Sequence, residues 1–182
     1  MEKIEMVVSK KNLCKKIIKV FIQMNIAFIG GFFILFFIVS LFNQGSLSFF
    51  ELVGLSLLGG LPMTMTLGPF IVIGLIKGLK SIAEQEKFYE IEFDEDVKNI
   101  MMENLIYEGS DWYIEMLGLQ FVVFKNGFIT RFEKYKKSGK KMATVTAICA
   151  DGKRRRLGGS ASNIARLRKW VGRCRKQEKT SS

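Results

Sequence analysis

The sequence predicts an α-helical transmembrane hairpin followed by a small α+β domain, an antiparallel sheet of about five to seven strands with a C-terminal helix. Three observations carry that reading. Residues 20–42 and 49–79 are apolar runs of membrane-crossing length. From residue 111 the hydrophobic period switches to two, with turn dipeptides between the apolar stretches. Charge is segregated along the chain: residues 81–124 carry 2 basic and 11 acidic side chains, whereas residues 125–182 carry 18 basic and 3 acidic.

Composition narrows the chemistry. A mean hydropathy of +0.18 in a chain that is 25% charged means that the apolar residues are concentrated rather than dispersed. The 182 residues include no His, which removes the Ser-His-Asp triad, the His-assisted Cys nucleophile and imidazole zinc sites. Cys14, Cys149 and Cys174 make no C-x-x-C pair, and the last two fit buried positions on a strand and a helix stripe. No Walker A or G-x-G-x-x-G loop is present. Asp94, Glu95 and Asp96 lack the spacing and the Gly of an EF-hand and read as a helix start. The expectation is a non-enzymatic protein with no cofactor and no metal.

Residues 20–42 carry no charge, and their only polar side chains are Gln23, Asn25 and Ser40. A helix of about 20 such residues covers a hydrocarbon core of about 30 Å. Residues 49–79 hold Glu51 and Lys77 as their only charges, and a run of that length must tilt, kink or spill into the interface. A short polar gap joins the two runs, so they form an antiparallel hairpin that leaves no backbone group open in lipid. Six lysines within residues 1–19, and Lys77 and Lys80 at the far end, flank a gap without Lys or Arg. That asymmetry places both termini of a two-span cell-membrane protein in the cytoplasm. A cleaved signal peptide is disfavoured, because the first run is too long and no small-x-small site follows it.

Within the hairpin at 20–80, Pro62 and Pro69 interrupt the second run and Gly59-Gly60 precedes the first of them, which predicts a kink near residues 58–62. Ser56, Thr64 and Thr66 are placed to satisfy the freed carbonyls. Small residues recur at four-residue spacing in Ala27/Gly31, Ser56/Gly60/Thr64 and Gly74/Gly78. They predict close helix packing, within the hairpin or between copies, and leave homo-oligomerisation open. Ahead of the hairpin, residues 1–19 form a basic leader in which Ile4, Val7, Val8, Cys14, Ile17 and Ile18, continued by Phe21 of the first run, fall near helical spacing. It reads as an amphipathic helix on the inner leaflet.

Residues 81–110 read as an acidic linker, or an extension of the second helix, ending in a short helical pattern through Val97, Ile100, Met101 and Leu105. The sheet domain occupies residues 111–176. Trp112, Ile114 and Met116 alternate with Asp111, Tyr113 and Glu115 as a half-buried strand, and residues 119–125 form a second. Asn126-Gly127, Ser138-Gly139 and Asp151-Gly152 then turn the chain through strands at 128–135, 142–150 and 153–157. Gly158-Gly159-Ser160 breaks the sheet, and Ser160 or Ser162 caps a helix whose apolar stripe is Ile164, Leu167, Val171 and Cys174, with Trp170 beside it. Residues 177–182 read as a disordered tail.

This order of parts resembles bacterial membrane proteins that carry a cytoplasmic pleckstrin-homology-like domain, the YcxB-like group. The stretches that carry the likeness are Asp111-Trp112-Tyr113-Ile114, then Phe121-Val122-Val123-Phe124-Lys125-Asn126-Gly127-Phe128-Ile129, and the helix holding Trp170. The resemblance implies a seven-stranded sheet domain with a scaffold or ligand-binding role, and it brings no catalytic residues.

The candidate binding residues are the basic ones. Lys153, Arg154, Arg155 and Arg156 lie on one strand, whose alternation sends Arg154 and Arg156 to one side and Lys153 and Arg155 to the other. Lys136, Lys137, Lys140 and Lys141 surround the preceding turn. Gly158–Ser162 before the last helix offers a phosphate-cradling loop. Anionic inner-leaflet lipid is the expected partner, with a membrane protein as the other choice. Nucleic acid is not expected, for want of stacking platforms or a recognition motif. The charge map also raises the hypothesis that the acidic segment folds onto the basic surface. The function expected is a membrane-tethered scaffold or regulator. The alternatives are a small oligomeric transport component using the kinked second span, and a membrane enzyme.

Overall fold

The computed structural model describes residues 5–42, 47–103, 105–117, 119–138 and 141–181. The polar gap at 43–46, the tip residues Gly139 and Lys140, and the last residue lie outside them. Strand β1 (Glu5–Val7) precedes two long helices, α1 (Lys10–Phe42) and α2 (Phe49–Tyr89). Ser9 opens α1 by accepting the Asn12 N–H at 3.1 Å, and Ser48 and Glu51 close a capping box at the start of α2. The helices are antiparallel: Lys10 pairs with Glu86 at 2.7 Å near one end, and Phe33 meets Phe49 edge-on near the other. α1, and the Thr64–Tyr89 part of α2, are long and apolar enough to cross a membrane. The outer surfaces of α1 and α2 expose Ile26, Ile34, Phe37, Leu57 and Phe70.

α2 runs without interruption through Gly59, Gly60, Pro62 and Pro69. The two glycines serve helix packing: a Cβ on Gly60 would lie 2.6 Å from Ile29, and one on Gly59 would lie 3.0 Å from the Phe32 ring. Ser56 donates to the Leu52 carbonyl at 2.6 Å, and Thr64 donates to Asn25 Oδ1 at 2.5 Å across the hairpin. α2 also continues well past its apolar run, carrying the first acidic residues of the 81–110 segment as helix.

The leader departs from the amphipathic helix expected for residues 1–19. Its first described residues form β1, which pairs antiparallel with β2 (Met101–Glu103), and the Val8 N–H reaches the Ile100 carbonyl at 3.0 Å. Leu13 and Ile17 are fully buried in a cluster with Ile82, Phe93, Met102 and Trp112. Spacing alone cannot tell an apolar stripe that meets lipid from one that meets the protein's own core. Here a strand edge and an aromatic cluster lie close enough to claim it.

The helical pattern expected after Asp94 shrinks to one turn, α3 (Phe93–Asp96), followed by β2 and then β3 (Ile106–Glu108). Leu105 turns the chain between them at φ 67°. The five strands expected from the turn signals are all present: β4 (Trp112–Leu117), β5 (Gln120–Lys125), β6 (Ile129–Ser138), β7 (Met142–Cys149) and β8 (Arg154–Ser160). With β1, β2 and β3 they form two antiparallel sheets rather than one, a five-stranded sheet β1-β2-β3-β4-β5 and a three-stranded sheet β6-β7-β8. Asn126-Gly127, with Gly127 at φ 78°, is therefore a corner between sheets and not a paired hairpin. The fully buried Phe128 occupies that corner.

β4 is buried on both faces, where a half-buried strand was expected. Trp112, Ile114 and Met116 face the cluster with α1 and α2, while Tyr113 faces a second cluster with Phe128, Trp170 and Cys174. The last helix, α4 (Ala161–Ser181), covers that second side with the predicted stripe of Ile164, Leu167, Val171 and Cys174. It runs through residues 177–181, which the sequence suggested as disordered tail. Gln, Glu and Lys in that stretch are good helix formers that continue the turns already begun.

Candidate functional site

The basic residues belong to two ends of the sheet domain, and the path of α2 defines those ends. β5 runs beside α2 in the same direction. A Cβ on Gly74 would lie 2.8 Å from the Leu119 carbonyl, and one on Gly78 would lie 2.5 Å from the Phe121 ring. Further along, Gln85 Nε2 donates to the Val123 carbonyl at 2.9 Å and Gln85 Oε1 accepts the Lys125 N–H at 2.7 Å. The Tyr89 hydroxyl then reaches the Asn126 carbonyl at 3.0 Å. The Gly74/Gly78 ridge thus seats a strand, where helix packing was expected. The β4–β5 turn lies level with Gly74, nearest the apolar part of α2. Register carries the same end through Gly158, Ser160, Met142 and Ser138.

At the other end Arg155 and Lys153 are paired. Arg155 turns inward, its side chain 16% exposed, and makes bonds of 2.9 and 2.6 Å to Asp151 and of 2.5 Å to Glu84 of α2. Its guanidinium lies 4.9 Å from the centre of the Phe128 ring. Lys153 joins Glu84 at 3.1 Å. Hydrogen bonds from Arg155 hold the carboxyls of Glu84 and Asp151 below the usual carboxylate range. Arg154 faces outward 3.6 Å from Glu133. Arg154 and Arg156 emerge opposite Arg155, as alternation predicts, and this separates a structural cation from exposed ones. On α4, Arg166 reaches Glu115 at 3.4 Å, and Arg173 reaches Glu108 at 2.5 Å. The acidic segment therefore does fold onto part of the basic one.

At the end nearest the apolar helices the pattern reverses. Lys136 and Lys137 on β6, Lys141 in the turn before β7 and Lys77 and Lys80 on α2 are exposed, and so is Arg156, which follows Arg155 along β8. None of these six has a side-chain partner among the described residues. Lys140, also expected at this tip, lies outside the described residues. Tyr135 and Met142 add exposed apolar surface beside the lysines. Gly158 and Gly159 lie in β8, opposite Thr144 and Ala143, so the sheet break expected at 158–160 is not formed, nor is the phosphate-cradling loop that residues 158–162 offered. Ladder pairing with β7 outweighs the turn preference of the glycine pair. Ser160 is left as the cap, its hydroxyl accepting the Asn163 N–H at 3.1 Å.

The acidic triplet has roles that sequence reasoning missed. Asp94 Oδ1 accepts the Lys10 N–H at 2.8 Å and so helps cap α1. Asp96 accepts the Trp112 indole N–H at 2.8 Å and pairs with Lys125. The Lys125 ammonium, with help from Trp112, holds the Asp96 carboxyl below its usual range. Burial, with the Glu115 carboxylate beside it, pushes the Tyr113 phenol above its ordinary value. No family model, no curated protein and no solved structure matches this chain.

Proposed function

We propose that this chain is a non-enzymatic membrane protein of two spans, with both termini in the cytoplasm, whose sheet domain acts as a scaffold resting on the anionic inner leaflet. The observation that carries the reading is the sorting of charge by height. Far from the apolar helices, Lys153, Arg155, Arg166 and Arg173 are matched by Glu84, Asp151, Glu108 and Glu115, whereas Lys77, Lys80, Lys136, Lys137 and Lys141 have no acidic partner among the described residues. An unmatched basic end beside an apolar hairpin has the anionic headgroups of the leaflet as its nearest counter-charge. A pleckstrin-homology-like identity for the sheet domain belongs to the same proposal.

The test uses the whole chain in nanodiscs of phosphatidylcholine, with and without phosphatidylglycerol. Backbone hydrogen exchange at the β6–β7 tip is expected to slow in the anionic bilayer. Lys136→Glu with Lys137→Glu and Lys141→Glu removes the difference. Equal exchange in the two bilayers for the unmodified protein overturns the reading.

A further inference from the structure

We infer that the cleft between α2, β5 and β8 holds the phosphate of an anionic membrane amphiphile. The cleft measures about 300 Å³ and opens level with Gly74. Lys77 and Arg156 stand on opposite walls, one from α2 and one from β8, and neither has an acidic partner among the described residues. Both cations are exposed at the cleft, and an anion seated there would give each a counter-charge. The inner end carries no spare charge, because Arg155 and Lys153 are balanced by Glu84 and Asp151.

A third polar group points to the same ligand. The Ser81 hydroxyl oxygen accepts from Gln85 Nε2 at 3.3 Å, so its own hydrogen remains as a donor at the cleft wall. Phosphate oxygens would thus meet an ammonium, a guanidinium and a hydroxyl. Phe121 and Leu157 supply an apolar floor. Ile73 and Phe70, four and seven residues before Lys77, continue its face of the helix and are 48% and 68% exposed. They form a track along which an acyl chain lies once its head is seated. A volume at the low end of ligand sites selects a small head, such as phosphate or phosphoglycerol.

The assignment rests on the bilayer placement proposed above and deepens it, so the experiment separates the two. The full chain in detergent is titrated with phosphatidylglycerol, phosphatidylcholine or inorganic phosphate, and bound lipid is counted by native mass spectrometry. Phosphatidylglycerol is expected to be retained one per chain where phosphatidylcholine is lost. Lys77→Gln and Arg156→Gln each weaken retention by about tenfold, and Lys77→Arg restores it. Both positions are exposed, and an unchanged unfolding midpoint verifies the fold of each variant. The triple glutamate variant at 136, 137 and 141 keeps the bound lipid while losing its tip protection. Undiminished retention in the Lys77→Gln, Arg156→Gln double variant overturns the cleft site, even where the tip still responds to anionic bilayers. Displacement of the lipid by millimolar inorganic phosphate overturns the amphiphile in favour of a free anion.

Discussion

Gln85 is fully buried on α2 and spends both ends of its amide on the edge of β5, donating to Val123 and accepting from Lys125. It stands where a neighbouring strand would, and so it ends the five-stranded sheet without leaving an open ladder. Gln85→Leu strands two buried backbone groups and is expected to cost about 2–4 kcal/mol in denaturant unfolding. Gln85→Glu leaves the Val123 carbonyl without its donor. The Arg155 cluster predicts an acid response. Glu84 and Asp151 have folded pKa values below their unfolded ones, so their stabilisation is complete above the ordinary carboxylate range and is lost as the pH falls through the folded values. Stability should therefore decline below about pH 4, and Arg155→Met should flatten that decline. An equal acid slope in the variant would remove Arg155 as the cause. None of this was legible beforehand: Gln85 and Glu84 sit in a polar stretch that reads as linker, and their partners are distant in sequence.

At the scale of elements, local signals were followed wherever the neighbours agreed with them. The turn dipeptide at 151–152, the five strands and the stripe of α4 could be read directly, because alternation and helical spacing survive in the final packing. The short elements could not. β1 and β2 have three residues each, too few for a period, and each exists because the other pairs with it. Leu13 and Ile17 illustrate the same limit on a helix, since a stripe facing protein and a stripe facing lipid have one pattern. Leu13→Ala is expected to destabilise the sheet domain by about 2–5 kcal/mol. Ile18→Ala, at an exposed position on the same helix, should stay within about 0.5 kcal/mol. Thermal unfolding of the two variants in one detergent gives the comparison, and equal losses would return the leader to the membrane surface.

For the whole molecule, the segregation of charge was visible in the sequence, but which cations meet acidic partners and which do not was not. That division depends on which strand edge meets α2. The proposed orientation is open to a direct check with single cysteines in an otherwise cysteine-free chain. Gln44→Cys should react with a membrane-impermeant maleimide added to intact cells, and Met142→Cys should react only after lysis. The opposite pattern would place the sheet domain outside. The longest single feature carries a mechanical consequence. α2 extends for 41 residues, roughly 60 Å at the α-helical rise, and is fastened to the sheets at Glu84, Gln85 and Tyr89. The stretch from Gly74 to Tyr89, past both prolines, lies along β5 from end to end. Whatever inclines that stretch inclines the platform by the same angle, so this part of the chain behaves as a lever that converts tilt into the pitch of a surface.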